Sequence, residues 1–219
     1  MTIVIYTLLG LSLAGASGWL FKRRSGLSHA AGGAVTASVV VLLIAAVAAL
    51  LTALVLGIGG DGLKHAQRLF GLAARHLSIP VLGLAACFLM NGWRWKPMVW
   101  GQVILGLMGA FELARLLDLS LHYEWLVNGL GLVLLAWACL GVGRARVLII
   151  LAIAAVGCLL AAALIADTTP LTALFRPLPT ASWLIPGLLA TALAVGVLAD
   201  QAHNKAHSST NEPDIPPRS

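Results

Sequence analysis

The sequence predicts an all-α protein, a polytopic bundle of membrane-spanning helices. Of the 219 residues, 60% are hydrophobic and 10% are charged, whereas soluble domains carry about 25% charged residues. The mean hydropathy is +0.96, and several uninterrupted apolar runs approach the ~20 residues that an α-helix needs to cross a bilayer. This composition excludes a nucleic-acid-binding domain, a secreted disulfide scaffold and a disordered chain.

Seven apolar runs predict seven spans, and six spans are the alternative if the second or third run lies in the interface. The sixth run is the clearest, because it has no charged or amide side chain and rises about 30 Å as a helix, the thickness of a bilayer core. The predicted spans are 2–21, 30–58, 77–95, 98–118, 124–143, 147–166 and 183–200.

The segments between and after the runs predict where helices stop. Residues 168–182 contain three prolines and therefore form a loop, one that can fold back onto the bundle. Residues 203–219 are polar, proline-rich and without periodicity. We therefore expect a transmembrane domain over 1–202 and a disordered cytoplasmic tail over 203–219.

Small residues recur inside the predicted spans, a pattern typical of close helix–helix contact. Those residues are Gly101, Gly106, Gly109, Ala110, Gly129, Gly131, Ala192 and Gly196.

The distribution of Lys and Arg predicts that the N-terminus is outside and the C-terminus inside. This orientation places nine basic residues inside and four outside, with Arg115 within a span, in agreement with the positive-inside rule. Trp19, Trp93, Trp95 and Trp100 then lie at inner helix ends, and Trp125 and Trp183 at outer helix starts, as an aromatic belt requires. Short loops and the lack of a soluble domain favour a bacterial inner membrane.

Residues 61–76 form the most informative polar stretch. Charged and imidazole side chains recur there at steps of three and four residues, so they share one helical face. The segment is an amphipathic helix at the outer side, lying flat in the interface or forming the first turns of the third span. Its cations either meet lipid phosphates or line a pocket for an anionic ligand.

Glu112 and Arg115 lie within the fourth predicted span, about 21 and 25 Å from its start at Met98. A charged side chain costs about 2.5–3.5 kcal/mol at the centre of a bilayer and less towards the interface, so both residues should pair or face a wet interior. Their spacing of three residues permits an ion pair on one helix face.

These observations predict a polar cavity on the outer (periplasmic) side that accommodates a lipid or a small anionic molecule. Membrane lipids are the expected partners, and neither a cofactor nor a catalytic residue is predicted. A scaffold or assembly subunit of a larger membrane complex, or a homo-oligomer, is an alternative reading of a glycine-rich chain with few intramembrane polar groups. The predicted lining residues are His65, Arg68, Arg75, His76, Glu112 and Arg115.

A second group of polar residues lies on the inner side. Ser25 and His29 are four residues apart where the second span begins, and His203 and His207 are four apart where the last span ends. This pattern resembles the seven-helix metal hydrolases that include alkaline ceramidases and adiponectin receptors. The resemblance implies zinc held by His29, His203 and His207, with Ser25 contacting the reacting group, in an enzyme that cleaves lipid amides. That family also has an aspartate in the bundle, whereas residues 30–58 contain no acid.

Overall fold

Seven long helices account for most of the chain. The computed structural model describes residues 1–93, 95–142, 146–178 and 180–210, the last six without side chains. Within these residues, seven helices are long and apolar enough to cross a membrane, as expected of an integral membrane protein. They are α1 (Thr2–Arg23), α2 (His29–Gly57), α3 (Asp61–Asn91), α4 (Pro97–Leu116), α5 (Ser120–Gly141), α6 (Arg146–Ala166) and α7 (Ala181–Thr210).

The amphipathic segment 61–76 forms the first half of α3. Of its two predicted placements, it therefore continues into the third span and does not form a separate helix. α3 has 31 residues and continues through Pro80. Proline has no N–H to bond the carbonyl four residues earlier and usually breaks a helix. Here the residues on either side of Pro80 are buried against α2 and α5, and this packing outweighs the lost hydrogen bond.

The final helix extends further than the composition of the tail indicates. α7 runs to Thr210, so the first eight residues predicted to be disordered are helical. No glycine or proline lies within residues 197–212, and adding turns to an existing helix avoids the cost of nucleation. The rest of the predicted tail, 211–219, lies outside the described residues.

α3 is the centre of the bundle and α4 is at its edge. In the most apolar 18-residue window of each helix, 78% of α3 is buried but only 17% of α4. α3 packs on α2, α5 and α7, whereas α4 presents Met98, Leu105 and Leu116 to the surroundings. One face of α4 therefore has no helix packed against it and can form the wall of a groove that opens to the bilayer.

Only part of the predicted small-residue set makes close helix contacts. A Cβ placed at Gly131 would lie 2.8 Å from backbone atoms of Ile79 and Pro80, and one at Gly196 would overlap the Trp19 ring. Gly101, Gly106, Gly109 and Gly129 instead face open space, with no atom within 4 Å of an added Cβ. For these four the prediction of tight packing within the chain is wrong, because Gly101 borders an open space between α2 and α4 and no other helix contacts the faces of Gly106, Gly109 and Gly129.

The helices alternate in direction, so the bundle has two ends. At the tryptophan end, Trp93, Trp95 and Trp100 pack around Phe88 with ring centroids 5.4–6.4 Å from it. Arg23 at the end of α1 pairs with Asp200 of α7 and lies over the Trp19 ring.

The opposite end is closed by the segment after α6. The predicted loop 168–182 does fold onto the bundle, and its 3₁₀ turn Pro170–Leu174 is buried. The Tyr6 hydroxyl of α1 donates to the Ala173 carbonyl at 2.6 Å and accepts from the Leu178 N–H at 3.1 Å. Gln67 of α3 donates to the Phe175 carbonyl at 2.9 Å. We call this the Glu124 end, after the acid that lies beneath this turn.

Candidate functional site

A buried ion pair is the main polar feature of the Glu124 end. The Arg75 guanidinium of α3 pairs with the Glu124 carboxylate of α5, and the side chains are 15% and 5% exposed. Arg75 Nε also donates to Thr169 Oγ1 at 3.0 Å, and that hydroxyl lies 3.5 Å from Glu124 Oε2. One ionic group thus joins α3, α5 and the loop that follows α6.

His76 lies beside this pair in a fully enclosed position. Its side chain is 1% exposed and stacks on Phe111 of α4, with ring centroids 3.6 Å apart. Nε2 is 3.6 Å from Glu124 Oε1, beyond hydrogen-bond distance. Neither ring nitrogen has a hydrogen-bond partner among the described residues. The imidazole therefore fills space between α3, α4 and α5 as an aromatic ring does.

The structure brings Arg75 and His76 together but leaves the other four predicted cavity residues elsewhere. His65 and Arg68 are exposed and lie about 15 and 10 Å from Arg75 along α3. Glu112 and Arg115 form an exposed ion pair of 2.9 Å on α4. The six residues do not surround one cavity, because Phe111 is the side chain that α4 turns inwards, which leaves its neighbour Glu112 facing out.

Glu124 is the partner that the sequence analysis left out of the site. Glu124 is the first residue of the predicted fifth span, and in the structure it lies within the first turns of α5 and is 4% exposed. The available signal was an acid at the start of the fifth predicted span, on the same side of the membrane as Arg75 in the predicted topology. Since its groups are paired or stacked on one another, the Arg75–Glu124 cluster can hold the helices together.

An open cavity instead lies between α2 and α4 at the tryptophan end. Its volume is about 610 Å³, within the range of small-molecule sites. Apolar groups form most of its wall. The lining residues are Arg24, Leu27, Ser28, His29, Gly32, Gly33, Thr36, Ala37, Val40, Pro97, Trp100, Gly101 and Ile104.

The polar lining of this cavity is concentrated at its mouth. Ser28 is the N-cap of α2, and its hydroxyl accepts from the Ala31 N–H at 3.4 Å. Arg24 and His29 are exposed beside it. Deeper in the cavity, the Thr36 hydroxyl donates a hydrogen bond to the Gly32 carbonyl at 2.6 Å. A molecule in this cavity meets donors at one end and hydrocarbon along the rest.

Trp100 provides one more donor in the cavity wall. The residue is 3% exposed, and its indole Nε1 has no hydrogen-bond partner among the described residues. Nε1 lies 3.5 Å from the position that a Cβ would occupy at Gly33. The absence of a side chain at Gly33 is what admits the indole at this point.

A second cavity of about 500 Å³ lies on the other side of Ser28. It is bounded by Ala30 and Ala31 of α2, the end of α3 from Phe88 to Trp93, and Ala202 of α7. The first turn of α2 therefore separates two open spaces at the tryptophan end.

The residues that the resemblance to metal hydrolases implies as zinc ligands do not form a metal centre in the described part of the chain. His29 lines the mouth of the first cavity, and His203 Cε1 lies 3.8 Å from an added Cβ at Gly26. The side chain of His207 is outside the described part of the chain. Among the described side chains, no group of three or more His, Cys, Asp and Glu residues is placed to hold a metal ion.

Comparisons with known proteins do not indicate a function. No family model, no curated protein and no solved structure matches the chain.

Proposed function

We propose that this integral membrane protein accommodates a lipid-like amphiphile in the cavity between α2 and α4. The observation that carries the proposal is the division of this cavity into a polar mouth and an apolar wall. A membrane lipid has the same division between headgroup and chain. The buried Arg75–Glu124 cluster, which includes two of the residues predicted to bind a ligand, has a structural role in this proposal.

The shape of the cavity supports a chain-bearing ligand. From Ser28 to Val40 the lining extends about 18 Å along α2, more than half of a ~30 Å bilayer core. Val40 is 40% exposed, and Gly101 faces open space on the α4 side. A hydrocarbon chain can therefore enter sideways from the bilayer between these two residues.

The proposal includes an orientation in a bacterial inner membrane. With the N-terminus outside and the C-terminus inside, the tryptophan end faces the cytoplasm. Lys22, Arg23, Arg24 and Lys96 then lie on the cytoplasmic side, as the positive-inside rule requires. The amphiphile would be held in the cytoplasmic leaflet.

The orientation predicts the outcome of labelling single cysteines in intact cells. The native cysteines Cys87, Cys139 and Cys158 would first be replaced by alanine. A cysteine at Lys64 should react with a membrane-impermeant maleimide, and one at Lys96 should react only after the cells are opened. The reverse pattern would overturn the orientation without affecting the cavity itself.

Blocking the cavity predicts a loss of bound lipid. Gly101→Phe places a ring in the cavity, and we expect it to reduce the lipid retained through detergent purification at least fivefold, as measured by native mass spectrometry. Gly106→Phe is the matched control, because Gly106 lies on the same helix in open space but outside the cavity lining. We expect it to retain as much lipid as the unsubstituted protein.

Equal lipid retention in the two variants would contradict the proposed function. A preparation without bound lipid that also fails to take up added phospholipid in nanodiscs would do the same. Circular dichroism and gel filtration of both variants establish that they are folded before the lipid is quantified.

A further inference from the structure

The first turn of α2 presents unoccupied backbone donors to the cavity mouth. The first N–H groups of an α-helix have no acceptor within the helix. Ser28 Oγ accepts from Ala31 and the Ser28 carbonyl accepts from Gly32, which leaves the N–H groups of His29, in the lining of this cavity, and of Ala30, in the lining of the second cavity. α2 is 29 residues long, and its dipole favours an anion at this end.

Other positive groups face the same point. The Arg24 side chain crosses Gly32, with Nε 3.9 Å from an added Cβ there. α4 also starts at the mouth, since its first residue, Pro97, lines the cavity. The lining contains no acid. Among the described residues, Asp200 is the only acid at this end of the bundle, and Arg23 neutralises it.

The Trp100 indole adds a buried donor that needs an acceptor. Leaving a buried N–H without a partner costs about 1–3 kcal/mol, so a bound molecule that supplied an acceptor to this N–H would be stabilised by it. Arg24 lies against Gly32 and the Trp100 indole lies against Gly33, and all four residues line the same cavity. The first turn of α2, Arg24 and Trp100 thus contribute donors to the wall of one cavity.

We propose that the group held at this point is a phosphate, the headgroup of the amphiphile; this inference rests on the proposed function. A phosphate offers at least three acceptor oxygens and can accept from donors that lie in different directions, whereas a carboxylate offers two in one plane. Gly32 leaves room for such a group beside the backbone, since the nearest atoms to an added Cβ there belong to the Arg24 side chain, at 3.7 and 3.9 Å. A neutral lipid would leave the positive charge and the indole N–H unpaired.

The experiment compares two lipids with the same acyl chains, phosphatidic acid and diacylglycerol, by native mass spectrometry of the full-length protein. We expect phosphatidic acid to bind at least tenfold more tightly. Arg24→Gln and Trp100→Phe should each reduce this ratio at least threefold, with little change in diacylglycerol binding. Arg68→Gln, which removes an exposed cation at the opposite end, is the matched control and should leave the ratio unchanged.

A parallel titration with inorganic phosphate identifies the source of the phosphate group. Competition with phosphatidic acid only at millimolar concentration supports a lipid phosphate, because the chain then supplies affinity. Competition at micromolar concentration overturns the lipid assignment in favour of free phosphate. Equal binding of the two lipids overturns the phosphate inference but leaves the proposed function standing. Lack of binding of either lipid overturns both. Arg24 is exposed, so Arg24→Gln should fold even if Trp100→Phe does not.

Discussion

Replacing Glu124 with alanine should lower the free energy of unfolding by about 3–5 kcal/mol. The substitution leaves the Arg75 guanidinium, only 15% exposed, in an enclosed position without its counter-charge. Arg75→Ala should cost a similar amount, because it leaves the Glu124 carboxylate in the same condition. Titration with sodium dodecyl sulfate in mixed micelles, followed by tryptophan fluorescence, measures these changes.

The exposed ion pair on α4 is the matched control for this prediction. Glu112 and Arg115 have the same charges as the buried pair and a normal contact of 2.9 Å, but their side chains are 52% and 64% exposed. Exposed pairs contribute about 0.2–1 kcal/mol, so Glu112→Ala should change stability by less than about 1 kcal/mol. Similar losses at Glu124 and Glu112 would show that burial of the first pair has no energetic consequence.

A double replacement separates the cost of an unpaired charge from the value of the contact. In the variant with both Arg75→Met and Glu124→Leu, no charge is left unpaired, and apolar side chains of similar volume fill the space. Buried pairs replaced in this way often lose little stability. We therefore expect the double variant to regain more than half of the loss that either alanine substitution causes.

The number of long apolar helices and their apolar segments were readable from the sequence because hydropathy is a one-dimensional property, whereas the polar extensions of α3 and α7 were not. A run such as 147–166 has no other stable conformation in a bilayer, and it agrees with α6 to within a residue. The path of the chain between helices was harder to predict. Whether the polar segment 61–76 lies flat or continues into α3 depends on its packing against the Pro170–Leu174 turn, 94 or more residues away in the sequence.

The burial of individual charges and the positions of the cavities could not be predicted from the sequence. The charges of Glu112 and Glu124 look alike in the sequence, and only the rotation of α4 and α5 about their axes buries one and exposes the other. The cavity between α2 and α4 was equally hard to predict. α4 contacts α2 at Gly33 through Pro97 and Trp100, yet the two helices leave an open space beside this contact, and glycine pairs within apolar runs more often indicate close packing alone.

Adding one methyl group at Gly131 should destabilise the protein, while the same change two residues away should not. The Cβ of Gly131→Ala would meet the Ile79 carbonyl group and Pro80 Cα at 2.8 Å. These are backbone atoms of α3, so α3 and α5 must separate. We expect a loss of about 1–3 kcal/mol in the free energy of unfolding, measured by the same detergent titration.

Gly129→Ala supplies the matched control and should change stability in the opposite direction. Its Cβ meets nothing within 4 Å, and alanine is favoured over glycine in a helix by about 1 kcal/mol. A gain of up to that amount is expected. If Gly131→Ala were also stabilising, α3 and α5 would not approach each other as closely as the structure shows.

Gly83 lies on the α3 side of the contact between α3 and α5 and allows a further test of this prediction. A Cβ at Gly83 of α3 would overlap the Gly131 carbonyl, so Gly83→Ala should be destabilising for the same reason. The two effects should not add, because once one methyl group has forced the helices apart, the second finds space already open. A double variant that loses less than the sum of the single losses would therefore locate both glycines at one contact, whereas strict additivity would place them at independent ones.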